Sequence, residues 1–192
     1  MSLRSTIAPL LLLALAVAGC DRQDSAPKQA SAPAPAASDA PKEGEKVVVD
    51  TIGTLDRSHK GESPPATSFD TPEGTPTTIA AFKGKPVLVN LWATWCAPCV
   101  KEMPTLDQVA ARMTVVSISQ DLDAAKVAPF FAQTGLKNLK PYHDPKVQLS
   151  VDYQASLPLS ILYDSSGHEV WRMTGGMDWT TPTAAELLAE AK

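Results

Sequence analysis

Two cysteines, Cys96 and Cys99, are the residues of this sequence whose type and spacing best suit chemistry. An apolar run, 86–92, precedes them and predicts a buried strand, and residues 100–112 follow with apolar positions at helical spacing. Thiols at the start of a helix lie near backbone N–H groups and the positive end of the helix dipole, which favour the reactive thiolate. One thiol can then attack a disulfide, and the other can resolve the mixed disulfide. The motif therefore predicts thiol–disulfide exchange.

The composition is that of an ordinary globular protein, except that the part before residue 77 is rich in proline. The chain has 192 residues, 44% of them hydrophobic, and a net charge of −4, so nothing in it indicates a nucleic-acid partner. It has only three cysteines, too few for a disulfide-stabilised scaffold. Many of the 17 prolines lie before residue 77, which predicts a disordered front and a folded remainder.

Residues 1–19 have the pattern of a secretory signal peptide. Arg4 precedes a Leu/Ala-rich run, 7–18, which is too short to span a bilayer. The run ends in Val-Ala-Gly-Cys at 17–20, which resembles a bacterial lipobox, and this resemblance implies cleavage before Cys20 and lipidation of its thiol. An ordinary signal peptide cleaved elsewhere is the alternative. Asp21 resembles an inner-membrane retention signal. We therefore expect a periplasmic chain, lipid-anchored at the inner membrane.

Residues 20–63 are expected to form the lipidated cysteine and its tether. Residues 21–46 contain Ala, Pro, Ser and charged residues with almost no apolar bulk, so they cannot offset the entropy of ordering. A flexible segment of this length would have a root-mean-square end-to-end distance of about 30 Å. The apolar residues at 47–49 and 52 have two interpretations: 47–63 includes a short strand, or it includes a segment that clamps onto the folded domain. We expect the folded domain to occupy residues 64–192.

The remaining patterns predict an α/β fold with a mixed sheet flanked by helices. It is expected to carry an N-terminal β-hairpin and a central αβ insertion. The predicted strands are 67–69, 77–79, 86–92, 114–119, 140–143, 159–163 and 169–174. The predicted helices are 100–112, a segment capped by Asp121 or Asp123 and ending at Gly135, 145–153, and 182–191 with Thr181 as its N-cap.

Residues 84–99 (Gly-Lys-Pro-Val-Leu-Val-Asn-Leu-Trp-Ala-Thr-Trp-Cys-Ala-Pro-Cys), followed by Glu-Met-Pro at 102–104, resemble the thioredoxin superfamily. Within it they are most similar to the TlpA/ResA-like, membrane-anchored periplasmic oxidoreductases. Leu-Pro at 157–158 and Asp-Trp at 178–179 are further matches, and the resemblance covers about residues 64–190. It implies a thioredoxin-like fold and protein disulfide exchange that requires no cofactor.

The resemblance also implies roles for individual residues. Cys96 would be the attacking thiol and Cys99 the buried resolving thiol. Pro158 would be a cis-proline facing the disulfide, with the Leu157 backbone pairing with an extended client peptide; a trans-proline at a strand start is the alternative. The residues expected to flank or tune the cysteines are Trp95, Ala97 and Pro98.

Glu102 follows Cys99 by one helical turn and has two interpretations. By resemblance it is an acidic residue that handles protons near the active site. It is otherwise a surface carboxylate that gains from the helix N-terminus. Asn90 stands where thioredoxin itself has a buried Asp, and its amide cannot accept a proton at neutral pH, which leaves Glu102 or water for that task.

The direction of electron flow is predicted from what lies between the cysteines. Ala97 and Pro98 add no cationic group to stabilise a thiolate, which favours a reductant over an oxidant. Electrons would then arrive from a membrane thiol carrier. By resemblance, the clients are factors of cytochrome c or cytochrome oxidase assembly. A disulfide-forming oxidant and a copper-binding assembly module are the alternatives. The three histidines lack metal-ligand spacing, so no metal site is expected.

Overall fold

The computed structural model of the chain describes residues 53–191, in which eight strands form one mixed sheet. The strands are β1 (Thr54–Asp56), β2 (Ser68–Asp70), β3 (Pro76–Thr78), β4 (Val87–Trp92), β5 (Thr114–Ser119), β6 (Tyr142–His143), β7 (Leu159–Tyr163) and β8 (Glu169–Thr174). The α-helices are α1 (Ala97–Ala110), α2 (Val127–Thr134), α3 (Gln148–Asp152) and α4 (Pro182–Leu188). Two short 3-10 helices cover Ile79–Phe82 and Ala124–Lys126.

The strand order is β1-β8-β7-β4-β5-β6-β2-β3, with β4 near the middle of the sheet. β4 pairs in parallel with β5 and antiparallel with β7, and all six of its residues are buried. A strand covered on both faces needs a nearly continuous apolar run, which residues 87–92 supply. The α/β class, the mixed sheet, the N-terminal hairpin of β2 and β3, and the central αβ insertion are confirmed.

Two apolar cores lie on the two faces of this sheet, because successive side chains of a strand point to opposite sides. One core joins Leu88 and Trp92 of β4 to α1, α2 and α4. The other joins Val89 and Leu91 of β4 to α3 and the hairpin. Helix α1, which carries the cysteine motif, is therefore packed along most of its length against the sheet.

The first strand changes the expected domain boundary. β1 pairs antiparallel with β8, from Thr54 opposite Thr174 to Asp56 opposite Arg172. Gly53 continues this close approach, because a Cβ at this position would lie 2.4 Å from the carbonyl oxygen of Thr174. The sheet thus includes residues before 64, where we expected the domain to begin, and a strand lies within 47–63. The expected signal peptide, Cys20 and residues 21–52 lie outside the described residues.

Several helix boundaries differ from the sequence prediction: α4 ends at Leu188 instead of 191, and α1 and α3 begin at other residues than predicted. α1 begins at Ala97, three residues earlier than predicted, because Cys96 already occupies the N-cap position and Pro98 fits the first turn. α3 begins at Gln148 instead of Pro145. There the Asp144 carboxylate accepts the N–H groups of Lys146 and Leu149, so it holds a turn before the helix starts.

The central insertion is attached to α1 through one carboxylate. Asp107 accepts backbone N–H groups from Lys137, Asn138 and Leu139, at 2.8 to 3.3 Å. Burial raises the pKa of Asp107, but these hydrogen bonds outweigh it and hold the pKa below its usual value. The carboxylate therefore stabilises the segment between α2 and β6.

We expect Asp107→Ala to lower the free energy of unfolding by about 2 kcal/mol at pH 7, because three backbone donors lose a charged acceptor. A depressed carboxyl pKa stabilises the fold above the unfolded-state value and loses that effect as the pH falls through the folded-state pKa. The difference between wild type and variant should therefore shrink below pH 4. Urea unfolding at pH 7 and pH 3 measures it, with exposed Glu186→Ala as control. Equal differences at the two pH values would contradict the assignment.

No helix among residues 53–191 combines the length and the apolarity needed to cross a bilayer.

Candidate active site

Cys96 and Cys99 form a disulfide at the N-terminal end of α1. Their Cα atoms are 5.2 Å apart. Cys96 keeps 6% of its surface exposed, whereas Cys99 is fully buried in the core under the helix. Of the two cysteines only Cys96 has any exposed surface, so Cys96 is the better placed to meet a client and Cys99 is placed to react within the chain.

The local backbone explains why the helix starts at this motif. Cys96 has an extended conformation at the N-cap, and its carbonyl accepts the N–H of Val100 at 3.0 Å. Pro98 lies in the first turn, where a helix has no intrahelical acceptor for an N–H. Its ring consequently removes one N–H from the end of the helix that faces the sulfurs. The remaining N–H groups and the helix dipole favour a thiolate at Cys96.

A buried carboxylate holds the loop before Cys96. Asp121 is 1% exposed and accepts the Thr94 N–H at 2.9 Å and the Thr94 hydroxyl at 2.6 Å. It also accepts the Ser119 hydroxyl at 2.7 Å. The sequence suggested Asp121 or Asp123 as a helix cap; the Asp123 side chain accepts the Ala125 N–H, and Asp121 serves the active-site loop instead.

A second loop, at 157–158, leads into the start of β7. The Leu157–Pro158 peptide bond is cis, as the resemblance implied. Pro158 is buried and its carbonyl accepts the Gly175 N–H at 2.9 Å, whereas Leu157 remains partly exposed. Gly175 has φ of 101°, a conformation that glycine adopts without strain. The hydrogen bond therefore joins the proline loop to the loop after β8.

The loop after β8 completes the site, and the sequence did not predict its role. A Cβ on Gly176 would lie 3.6 Å from the carbonyl oxygen of Pro98 and 3.9 Å from Glu102 Oε2. The adjacent Met177 N–H donates to the same oxygen at 3.0 Å. The consecutive glycines at 175–176 were the available signal, because glycine marks a close approach of backbone segments.

Glu102 is buried beneath the motif, so its interpretation as a surface carboxylate is wrong. It is 4% exposed, and its Oε1 accepts the Asn90 amide N–H at 2.9 Å. Asn90 also donates to the Ser160 hydroxyl at 3.0 Å, which ties the carboxylate to β4 and β7. Glu102 and Cys99 are three residues apart in α1 and both are buried, so they are neighbours on one helix face.

Burial raises the pKa of Glu102 from 4.5 to about 7, because the apolar surroundings disfavour the charged form. The hydrogen bonds from the Met177 N–H and the Asn90 amide oppose this shift. The indole of Trp179 also favours the charged form, although its Nε1 makes no hydrogen bond of normal geometry with the described residues. Glu102 can therefore exchange a proton near neutral pH.

The structure brings most of the expected site residues to one end of the sheet. Trp95 is 69% exposed beside Cys96, and Ala97 and Pro98 are exposed on the first turn of α1. Within residues 53–191, no group of three or more His, Cys, Asp or Glu side chains is arranged to hold a metal ion. Cys20, the expected lipidation site, lies outside the described residues.

Comparison with known proteins supports this description of the fold. The family model described as Redoxin matches residues 59–188. The thiol-disulfide oxidoreductase ResA of Bacillus thuringiensis subsp. konkukian is 30% identical over 115 residues, which are 54% of this chain and 62% of ResA. The thiol:disulfide interchange protein DsbE homolog of Paracoccus denitrificans is 31% identical over 108 residues, 52% of this chain and 58% of that protein. The chain thus matches about three fifths of the length of these relatives.

A solved structure shows the same architecture. A Chlorobium tepidum protein, assigned as thiol:disulfide interchange protein DsbE, has a TM-score of 0.61 and 24% identity, covering 69% of this chain and 98% of its own. A cysteine pair at a helix N-terminus on such a sheet gives the chain a thioredoxin-like fold, similar to that of the solved structure. The Redoxin match covers well over half of the chain, and the chain belongs to the Redoxin family.

Proposed function

We propose that this chain is a periplasmic thiol–disulfide oxidoreductase that reduces disulfides in client proteins. The observation that carries the proposal is the Cys96–Cys99 disulfide at the N-terminus of α1, with Cys96 slightly exposed and Cys99 buried. The relatives named as thiol-disulfide oxidoreductase and thiol:disulfide interchange protein support it. No cofactor enters the reaction, because the cysteine pair itself carries both electrons.

The reaction begins when the Cys96 thiolate attacks a client disulfide. One client sulfur forms a mixed disulfide with Cys96, and the other leaves as a thiolate that takes up a proton. Cys99 then loses its proton and attacks the Cys96 sulfur, which releases the second client thiol. The client disulfide has gained two electrons and two protons, and the Cys96–Cys99 pair is oxidised.

Glu102 is placed to serve the second half of this reaction. Its carboxylate lies one turn beyond Cys99 on the buried face of α1, where bulk water has little access. With a pKa of about 7 it is partly ionised at neutral pH, so it can accept the Cys99 proton, directly or through one water. The deprotonated Cys99 then attacks Cys96.

The proline loop is proposed as the docking site for the client backbone. Leu157 is partly exposed next to buried Pro158, and the hydrogen bond from Gly175 holds this loop in place. An extended client segment could pair with the Leu157 backbone, so that its disulfide lies against Cys96. Trp95, Ala97 and Pro98 are exposed next to Cys96 in the chain and would also face the client.

The remaining parts of the proposal come from the N-terminal sequence and the family resemblance. Lipid on Cys20 would hold the domain at the inner membrane, where a membrane thiol carrier can supply electrons to the oxidised pair. Such a supply is necessary because continuous, catalysed disulfide formation keeps the periplasm oxidising, and nothing dissolved there would re-reduce the pair. Factors of cytochrome c or cytochrome oxidase assembly are the proposed clients, by family analogy alone.

The reduction potential of the Cys96–Cys99 pair tests the direction of electron flow. We expect a value closer to about −270 mV, as in thioredoxin, than to about −120 mV, as in DsbA, because Ala97 and Pro98 add no cation that would stabilise the thiolate. Equilibration with glutathione or dithiothreitol buffers, followed by alkylation and mass measurement, gives the potential. A value near −120 mV would assign the chain as an oxidant and overturn the reductant proposal.

A further inference from the structure

A small cavity lies at the end of the sheet opposite the disulfide. Its lining includes the buried apolar residues Ile79, Val87 and Tyr163. Val87 and Tyr163 are paired at the first residue of β4 and the last residue of β7, whereas Cys96 and Cys99 follow the other end of β4. The cavity is therefore separate from the candidate active site.

Backbone hydrogen bonds hold the segments that surround this cavity. The loop before β4 is joined to the turn after β7, because the Gly84 N–H donates to the Ser165 carbonyl at 2.9 Å. The Glu169 N–H donates to the Glu62 carbonyl at 2.8 Å, which fixes the chain just before residues 63–64. Those two residues also line the cavity. The cavity is consequently a preformed feature of the fold, and a ligand would not have to order its walls.

The size of the cavity fits one aromatic ring. Its volume is about 160 Å³. An apolar cavity of about 150 Å³ is large enough to hold a benzene molecule. Phe82 and Tyr163 contribute aromatic side chains to the lining, and aromatic rings pack well against one another in edge-to-face or offset contact. The lining therefore suits a single ring better than a long chain.

Two lysines give this apolar cavity a positive charge. Lys83 and Lys85 both line it and both are exposed. A Cβ added to Gly167 would lie 3.5 Å from Lys83 Cδ, so the lysine stem packs beside the cavity while its ammonium group stays on the solvent side. Among residues 53–191, no carboxylate lies within ion-pair distance of either lysine. Both cations are thus available to a ligand.

Asp164 also lines the cavity, but its carboxylate is engaged in the turn after β7. Its Oδ1 accepts the Ser166 N–H at 2.8 Å, the Ser166 hydroxyl at 2.6 Å and the His168 N–H at 3.0 Å. Burial raises the pKa of Asp164, but these hydrogen bonds outweigh it and hold the pKa below its usual value. One carboxylate and two lysines leave the cavity with a net positive charge.

We propose that this cavity binds a small aromatic carboxylate. The ring would lie against the buried apolar lining, and the carboxylate would lie at the mouth, where Lys83 and Lys85 complement its charge. Neither Cys96 nor Cys99 takes part. The binding site is therefore an addition to the function proposed above and can be tested independently of it.

The test is a titration of the isotope-labelled, oxidised full chain with benzoate, followed by NMR. The backbone amide signals of Val87 and Gly167 should shift and saturate with a Kd of about 1 mM, which is reasonable for a ligand of so few atoms. Benzyl alcohol has the ring without the charge and should bind about tenfold more weakly. Acetate has the charge without the ring and should not saturate these signals.

Lys83→Met removes the charge and keeps an apolar stem, so it should weaken benzoate binding about fivefold and leave benzyl alcohol binding unchanged. Arg112→Met is the matched control. Arg112 is an exposed cation at the same end of the sheet, but it lines a neighbouring cleft instead of this cavity. Its removal should leave the Kd for benzoate unchanged.

Four outcomes would overturn the proposal: no saturable shift with benzoate, equal affinity for benzyl alcohol, an unchanged benzoate Kd in Lys83→Met, or equal weakening in both variants, which would indicate general attraction to a cationic surface. Tighter binding of N-acetylphenylalanine than of benzoate would assign the cavity to the C-terminal residue of a peptide, and so would also overturn it. Each of these results leaves the exchange reaction of Cys96 and Cys99 untouched.

Discussion

Cys99→Ala is expected to abolish turnover of disulfide reduction while leaving the first attack on the client intact. Cys96 keeps its place at the N-cap of α1 and its slight exposure, so it still forms a mixed disulfide. No second thiol lies beneath it to release the product. Catalytic turnover with a disulfide-bonded protein substrate should fall by a factor on the order of 10³ or more.

The covalent intermediate distinguishes this loss from simple damage. Non-reducing electrophoresis of Cys99→Ala should show an adduct with the substrate, and dithiothreitol should remove it. Cys96→Ala is the matched control, because it has the same number of thiols but its remaining sulfur is buried. It should form no adduct. Adduct formation by Cys96→Ala and none by Cys99→Ala would reverse the assigned roles of the two cysteines.

Glu102→Gln is expected to slow thiol–disulfide exchange by about 10²-fold at pH 7, because the variant lacks the group that accepts the Cys99 proton. The wild-type rate should rise with pH around the Glu102 pKa of about 7. The variant should lose that inflection and retain only the titration of the thiols. Stopped-flow measurement of tryptophan fluorescence between pH 5 and pH 9 provides both rates, since Trp95 adjoins the reacting cysteine.

The same substitution should change how stability depends on pH. In the folded state Glu102 binds its proton more tightly than in the unfolded chain, with a pKa of about 7 instead of 4.5. Between these values the folded state holds more protons, so its stability falls as the pH rises. The free energy of unfolding begins to fall near pH 4.5, and the decrease is complete above pH 7 and amounts to about 3 kcal/mol.

Urea unfolding of the oxidised protein measures this effect. Glu102→Gln should gain stability relative to wild type between pH 5 and pH 8, even though an amide has one oxygen for the two donors from Asn90 and Met177. Exposed Glu186→Gln on α4 is the control and should follow the wild-type curve. A constant difference between Glu102→Gln and wild type across this range would place the carboxyl pKa near its ordinary value.

The parts of the fold that could be predicted are those determined by local patterns. Strands β5, β7 and β8 have the predicted bounds, because short apolar runs between turn residues carry a strong local signal. The Thr181 cap of α4 is confirmed by its hydrogen bond from the Ala184 N–H. Cys96 and Cys99 were found because their spacing and position before a helix are themselves local features.

The features that could not be predicted depend on contacts between distant segments. Asp121 looked like a helix cap, and only its bonds to Thr94 show that it holds the cysteine loop. Burial of Glu102 depends on Asn90 and on the loop at Met177, which is 75 residues away in the chain. Strand β1 has three residues and no alternation of its own, so only pairing with β8 defines it.

The unequal burial of the two cysteines also determines how the reduced protein would respond to oxidants. Hydrogen peroxide in solvent can reach Cys96 and not Cys99, so the first product would be a sulfenic acid on Cys96. Cys99 lies within disulfide-bonding distance in the same helical turn, and its thiol can condense with that group, releasing water. This step restores the disulfide before a second oxidant can produce the irreversible sulfinic acid. The buried cysteine thus protects its partner from permanent damage as well as completing the exchange.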